Sequence, residues 1–218
     1  MRKLLPILFT ALTATGCDTT SGMESFDIQG IKLGMTVKEA QRLLPEAELK
    51  SRTELGHTWL HLNLEKKDDN GYSIEELSVD FASSLSEDDG KVNSIYYSQT
   101  INDPITLETL IITLTERYGE PTDVKKIENQ YSRSKGLIYY GITHDRFVEL
   151  KNPKKLGDEA TFEEDYTYYK ASLNDSGKNI SIVLKNRPSM KKDWELLKAA
   201  RAAEKENKEK QRASEINL

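Results

Sequence analysis

The chain has 218 residues, of which 31% are charged and 8% aromatic, and its formal net charge is −5. A net negative charge argues against nucleic acid or anionic headgroups as partners held by bulk electrostatics. The length suits one domain or two small ones, and the high charged fraction predicts a soluble protein with a large polar surface.

The N-terminal residues have the pattern of a secretory signal. Arg2-Lys3 precede a short apolar run, and small residues then lead to Cys17, the only cysteine of the chain. Ala14-Thr15-Gly16-Cys17 resembles the lipobox of bacterial lipoproteins. The resemblance implies that residues 1–16 are a cleaved signal peptide and that Cys17 carries a diacylglyceryl group and an amide-linked acyl chain such as palmitate. Two or more acyl chains attach a protein stably, whereas a single chain holds it only marginally.

Asp18 follows this cysteine and matches the residue that marks inner-membrane retention in enterobacterial lipoproteins. The resemblance therefore implies a chain anchored at the periplasmic side of the inner membrane, with the outer membrane as the alternative. Residues 17–25 would form the lipidated tether, and no thiol would remain for a disulfide or a cysteine-based metal site. Two other interpretations stay open: an ordinary signal peptide followed by a free cysteine, or a cytoplasmic chain with an apolar start.

The first unit of the body covers residues 26–103 and opens with a strand and a helix. Apolar residues recur over residues 26–33 with Gly30 among them, which predicts a short strand with a local irregularity. The segment Thr36-Val37-Lys38-Glu39 has the spacing of a capping box, so a helix should begin there. Pro45 should end this helix, because proline cannot continue it.

Three strands should follow, joined by tight turns. Apolar residues alternate with polar ones over residues 60–64, 77–81 and 95–101. Asp69-Asn70-Gly71 and Glu87-Asp88-Asp89-Gly90 supply the residues that tight turns need. The pattern predicts an antiparallel meander with one apolar face.

The second unit covers residues 104–190 and opens with the strongest predicted helix. Asp103 is the expected N-cap, with Pro104 at the first helical position. Gly119 and Pro121 should end the helix. One stripe of the helix is apolar and consists of Leu107, Leu110, Ile111, Leu114 and Tyr118.

Three or four strands should follow this helix, over residues 127–131, 137–142, 162–173 and 180–184. Asp175-Ser176-Gly177 should form the last hairpin turn, and residues 151–158 a long polar loop. Residues 191–218 should form a polar C-terminal helix, regular over 193–212. The elements together predict the α+β class, with two helix-plus-antiparallel-sheet units and a C-terminal helix.

Short motifs in both units resemble those of a known lipoprotein family. Gly34-Met35-Thr36 with Leu43-Leu44-Pro45, and later Tyr118-Gly119-Glu120-Pro121, resemble the Gly-Met-Thr and Leu-Gly-x-Pro pattern of the BamE (SmpA/OmlA) lipoproteins and the related beta-lactamase-inhibitor-protein-like fold. The resemblance implies a helix packed on a curved antiparallel sheet, in a family whose members bind other envelope proteins. No functional residue is carried over, because the barrel-assembly contacts of the family have no matching motif in this chain.

No pattern in the sequence points to catalysis or to a cofactor. The histidines are His57, His61 and His144, and the first two would lie ~13 Å apart along a strand, too far to share a metal ion. Neighbours in Glu163-Glu164-Asp165 should point to opposite faces of a strand, so this segment is interpreted as a solvated charge run. We therefore expect no enzyme, no metal site and no cofactor.

Aromatic residues in the predicted strands are the candidates for a partner-binding surface. Within each tyrosine pair, one side chain should face the core and its neighbour the outside. Outward aromatics are enriched at protein interfaces, although tyrosines also cover sheet edges without any partner. The candidate partner-binding residues are Trp59, Tyr96, Tyr139, Tyr166 and Tyr168.

The leading hypothesis is a lipid-anchored periplasmic protein-binding module, non-enzymatic and monomeric, of the envelope-assembly, inhibitor or immunity type. Its partners would be an envelope protein and, through the covalent lipid, the membrane, with no nucleic acid. The alternative is an envelope hydrolase or small-ligand carrier with a site built from dispersed residues. A deep pocket with convergent carboxylates or histidines would favour that alternative. In a third interpretation, the C-terminal helix is a spacer that reaches toward peptidoglycan.

Overall fold

A computed structural model describes residues 22–54, 57–84, 89–127, 134–143, 145, 148 and 167–214. The predicted signal peptide, Cys17, Asp18 and the loop over residues 151–158 lie outside the described residues. The described part belongs to the α+β class, as predicted, with antiparallel strands interleaved with helices. The α-helices that are described over their full length are α1 (Val37–Leu43), α2 (Leu107–Tyr118) and α3 (Arg187–Ser214). The strands are β1 (Asp27–Ile28), β2 (Ile31–Lys32), β3 (Glu48–Glu54), β4 (His57–Lys67), β5 (Ser73–Phe81), β6 (Val92–Thr100), β7 (Asp123–Lys126), β8 (Ser134–Tyr140), β9 (Thr167–Asn174) and β10 (Asn179–Asn186).

Eight of these strands form one continuous antiparallel sheet in the order β3-β4-β5-β6-β10-β9-β8-β7. The order contains two four-stranded meanders, β3 to β6 and β7 to β10, and each is preceded by a helix. The last strands of the two meanders pair with each other, with Tyr97 opposite Ile182. The two predicted units therefore share a single sheet.

The first strand of the prediction is a tight hairpin in the structure. Strands β1 and β2 pair through Asp27 with Lys32 and Ile28 with Ile31. Gln29 and Gly30 between them both have positive φ, 54° and 81°, which is the backbone that a two-residue hairpin turn requires. Gly30 therefore marks a turn and not a strand irregularity.

The first meander has four strands, one more than predicted. The additional strand, β3, lies at an edge of the sheet, and its residues are exposed except for the half-buried Glu54. Its sequence is rich in charges, which is how edge strands are kept from pairing with other chains. The charges obscure the alternation by which a strand is recognised in the sequence.

Two helix caps were predicted, and one of them lies at a different residue. The capping box of α1 is confirmed, because Thr36 Oγ1 accepts a hydrogen bond from the Glu39 N–H at 3.3 Å and Glu39 Oε2 accepts one from the Thr36 N–H at 2.8 Å. Helix α2 is capped by Thr106 and not by Asp103. The segment before Thr106 stays extended because the Ile105 N–H donates to the Gly177 carbonyl at 2.9 Å, in the last hairpin turn.

The remaining boundaries follow the prediction with shifts. Strand β7 ends at Lys126, before the predicted strand over residues 127–131, most of which lies outside the described residues. Helix α3 begins at Arg187, six residues before the predicted start at Asp193. Two of the three predicted turns, at residues 69–71 and 175–177, are present, and the third, at residues 87–90, lies partly outside the described residues.

The main core lies between one face of the sheet, called the first face here, and the two short helices. Leu110 and Leu114 of α2 and Ala40 of α1 are buried in the same cluster as the sheet residues. Four aromatic rings close one part of this core, with centroids 4.4 to 6.3 Å apart: Phe26, Tyr118, Tyr140 and Tyr169. Among the described helices, none has the length and apolar character that crossing a membrane requires.

Candidate functional site

The candidate aromatic residues that the structure describes lie on the opposite face of the sheet, called the second face here. Tyr97, Tyr140 and Tyr169 belong to the main core on the first face. Because strand neighbours point to opposite faces, Tyr96, Tyr139 and Tyr168 point to the second face. The predicted division of each tyrosine pair between the two faces is confirmed for the described strands.

Two of these candidates are buried on the second face. Tyr139 is 0% exposed and Tyr168 is 6% exposed, and both belong to a small cluster with Ile142. Burial raises the pKa of Tyr139 to about 12. The prediction that both side chains are exposed for a partner is therefore wrong, because alternation gives the face of a residue but not what covers that face. Tyr166 lies outside the described residues.

Tyr96 sits in a strip of small polar side chains on the second face. The polar strip consists of Asn63, Ser78, Tyr96, Ser98, Ser172 and Ser181. Strand register places Asn63, Ser78 and Tyr96 in one row and Ser98, Ser181 and Ser172 in the next. Ser172 Oγ donates to the Ser181 carbonyl at 3.3 Å, and all six side chains are half-buried. The strip contains one aromatic side chain, that of Tyr96.

Helix α3 crosses the other part of the second face and leaves a cleft of about 560 Å³ beneath it. The apolar side chains that line the cleft include Trp59 of β4 and Met190, Trp194 and Leu197 of α3. The chain contains two tryptophans, and both line this cleft. The spacing of the three α3 residues brings them onto one side of the helix.

Polar contacts at Asp193 and at Arg201 attach α3 to the sheet. Near its start, the buried carboxylate of Asp193 accepts hydrogen bonds from Ser83 N–H at 3.0 Å, Ser83 Oγ at 2.9 Å and Asn93 Nδ2 at 3.4 Å. Farther along, Arg201 donates to Glu54 of the edge strand β3 at 2.5 Å. This hydrogen bond lowers the pKa of Glu54. The helix therefore spans the second face from its centre to the β3 edge.

A chain of polar contacts next to the cleft has the residue types of a hydrolytic triad. His61 Nδ1 lies 2.8 Å from Asp80 Oδ1, and His61 Nε2 lies 3.4 Å from Ser78 Oγ. Ser78, however, lies within β5, whose backbone pairs with β4 and β6 on its two sides. The N–H groups around Ser78 therefore do not form an oxyanion hole toward the second face, and such a hole is the main catalytic element of acyl transfer.

Metal ligands do not cluster in the described part of the chain. No group of three His, Cys, Asp or Glu residues there could hold a metal ion. The side chain of His57 and all of His144 and Glu163-Glu164-Asp165 lie outside the described residues. The second face therefore presents two candidate binding surfaces, the polar strip and the cleft.

The sequence predicted Trp59 and Tyr96 as candidates but did not predict the cleft. The sequence feature that relates to the cleft is the spacing of Met190, Trp194 and Leu197. This spacing indicates that the three residues share one side of a helix, but it does not indicate what that side contacts. One residue of each surface was therefore a sequence candidate, and the rest of each surface follows from the geometry. No protein-family model matches this chain, and no curated protein or solved structure matches it.

Proposed function

We propose that this chain is a non-enzymatic protein-binding module, anchored through a lipidated Cys17 at the periplasmic side of the inner membrane, with the outer membrane as the alternative. The role is of the envelope-assembly, inhibitor or immunity type, and the partner is an envelope protein. The observation that carries the proposal is the polar strip around Tyr96 on the second face of the sheet.

The composition of the strip suits protein recognition. Tyrosine gives a large contact area at a low entropic cost, and serine and asparagine adapt their hydrogen bonds to a partner. The strands fix the backbone, since Ser78 on β5 and Val183 on β10 lie opposite Tyr96. A rigid surface loses little conformational freedom on binding, which favours affinity.

Site-specific photo-crosslinking tests the surface. A benzophenone amino acid at position 96 should capture one defined envelope protein in intact cells. The matched control is position 112, because Ile112 lies on α2, away from the second face, and is 59% exposed, so it is at least as accessible as the half-buried Tyr96. The same capture pattern from both positions, or capture of nothing from position 96, would contradict the proposed surface.

Lipidation is tested separately. A fatty-acid probe should label the protein, and the protein should fractionate with membranes. Cys17→Ser should abolish the labelling and the membrane association, whereas Thr20→Ser should leave both unchanged. Replacing Asp18 with serine should move the protein from inner-membrane to outer-membrane fractions. A native product with an unmodified cysteine would remove the envelope location and with it the proposed class of partner.

The cleft beneath α3 favours a second candidate function, that of a small-ligand carrier. Ligand pockets typically have volumes of ~300–1,000 Å³ and mostly apolar walls with a few polar groups. The cleft of about 560 Å³ fits that description, with Trp59 and Trp194 in its walls and His61 and Asp80 at one side. Both functions could occur in one molecule, because the polar strip and the cleft occupy different parts of the second face.

A further inference from the structure

We propose that the cleft beneath α3 binds a long-chain carboxylate, with its hydrocarbon chain between the tryptophans and its carboxylate at the β3 edge. This inference rests on the second candidate function and names its ligand class. The occupant is a single free amphiphile carrying one negative charge.

The side chains that line the cleft between the sheet and α3 favour an apolar hydrocarbon chain. Trp59 projects from the sheet, and Met190, Trp194 and Leu197 project from α3, so the space between sheet and helix is bounded by apolar side chains on both sides. The buried Asp193 carboxylate nearby is engaged by Ser83 and Asn93. A hydrocarbon in this space gains free energy in proportion to the apolar area that it removes from water.

The end of the cleft at the β3 edge, called the outer end here, favours an anionic group. Three cations lie there, Lys50 and Arg52 on β3 and Arg201 on α3. Two carboxylates face them, since Glu48 pairs with Lys50 and Glu54 lies between the two arginines. One positive charge remains in excess at this end.

Guanidinium groups bind planar oxyanions through parallel hydrogen bonds, so a carboxylate suits this position. Asp80 of β5 lies beside His61, two strands farther from the β3 edge than Lys50, and it disfavours an anionic group at that position. The asymmetry of charge therefore orients the ligand, with its head at the β3 edge and its chain toward Asp193.

Tryptophan fluorescence of the full chain gives a direct test, because both tryptophans line the cleft. Dodecanoate should shift the emission saturably, and decanoate should bind on the order of tenfold more weakly, since each buried methylene contributes about fourfold. Dodecanol should bind more weakly than dodecanoate, and dodecyltrimethylammonium more weakly still.

Two variants separate the contribution of the carboxylate head to binding from that of the hydrocarbon chain. The double variant Lys50→Gln, Arg52→Gln retains the Arg201 contact with Glu54, and it should weaken dodecanoate binding about tenfold while leaving dodecanol binding unchanged. Trp59→Ala should weaken both ligands, read through Trp194. The control is Arg212→Gln, an exposed change on the same helix outside the cleft, which should affect neither ligand.

Three results would overturn the proposal. One is the absence of a saturable shift with dodecanoate while circular dichroism shows the native fold. Another is equal affinity for the anionic and cationic amphiphiles. The third is a shift produced by a tryptophan-free acidic peptide but not by dodecanoate, which would assign the cleft to a protein segment. None of these results affects crosslinking from position 96, so failure of the ligand proposal is distinguishable from failure of the protein-binding proposal.

Discussion

At the scale of single residues, two turn glycines differ in what surrounds them. Gly177 has φ +70° and Gly71 has φ +82°, so both occupy the left-handed region that disfavours a side chain. A Cβ at Gly177 would collide with the backbone carbonyl of Ile105, whereas nothing lies within 4 Å of a Cβ at Gly71. We expect Gly71→Ala to destabilise the fold by about 1 kcal/mol through strain alone. Gly177→Ala should destabilise it by about 3 kcal/mol, because the collision adds to the strain.

Urea unfolding followed by circular dichroism measures both variants. The difference between them isolates the close approach of the last hairpin turn to the segment before α2. Equal losses of stability would mean that this approach is relaxed in solution and that only the backbone conformation matters.

The buried tyrosines predict how the protein responds to alkali. Burial, together with the negative charge of Glu75, raises the pKa of Tyr97 to about 12, and burial raises the pKa of Tyr118 to about 12. These folded-state pKa values exceed the unfolded value of about 10. Their contribution to stability is therefore complete below about pH 10 and is lost as the pH rises toward 12. Part of the tyrosinate absorbance should appear only together with unfolding, and Tyr97→Phe should reduce that delayed part.

What the sequence predicts at this scale is whatever depends on neighbours along the chain. The capping box at Thr36 and the hairpin turns follow from residue types at fixed spacing, and the structure contains them. The burial of Tyr139 and Tyr168 depends on contacts with residues far away in the chain, so alternation alone gave the right face and the wrong exposure.

At the scale of elements, α3 depends on the buried carboxylate of Asp193. Asp193→Asn would replace one of the two carboxylate oxygens that accept from Ser83 and Asn93 with a donor, so at least one of these buried hydrogen bonds would be lost or reversed. Such a loss costs about 2 kcal/mol. We expect the helix to detach from the second face before the sheet unfolds, with a red shift in the emission of Trp194.

The matched control is Asp103→Asn, because Asp103 is an exposed aspartate outside any helix. It should leave both stability and emission unchanged. If Asp193→Asn lowers the stability of the whole sheet with no earlier change in fluorescence, α3 is an integral part of the fold and not a separately attached element.

The two halves of α3 have different physical roles. Its first half contacts the sheet as far as Arg201, whereas its second half is polar on all sides and carries internal pairs such as Lys208 with Glu204 at 2.9 Å. A helical segment without an apolar face is stabilised by such ion pairs within the helix and not by packing against the sheet. A test of the spacer interpretation should end the chain after Arg201, because this truncation keeps Asp193 and the contact with Glu54.

At the scale of the whole molecule, local sequence patterns could not predict the joint between the two units, which is the pairing of β6 with β10. The repeated order of a helix followed by strands indicated two similar units, and in the structure a helix precedes four strands in each half. Pairing between β6 and β10 joins strands that are far apart in sequence, and no residue type at that joint specifies the partner. The register between distant strands is fixed because the apolar residues of both strands must be buried in the same core. That requirement is a property of the complete sheet.

This joint predicts that the two units unfold together. Leu62 and Val79 of the first unit and Ile138 and Leu173 of the second belong to one buried cluster. Separating the units would expose β6 and β10 along a row of unpaired backbone groups, which is costly in free energy. Urea unfolding should therefore give one transition, with the same midpoint by tryptophan fluorescence and by the near-ultraviolet signal of the tyrosines. A chain ending at residue 103 should not fold, because it lacks the partner of β6. Two separate midpoints, or a folded fragment, would mean that the units are independent domains that merely share a sheet edge.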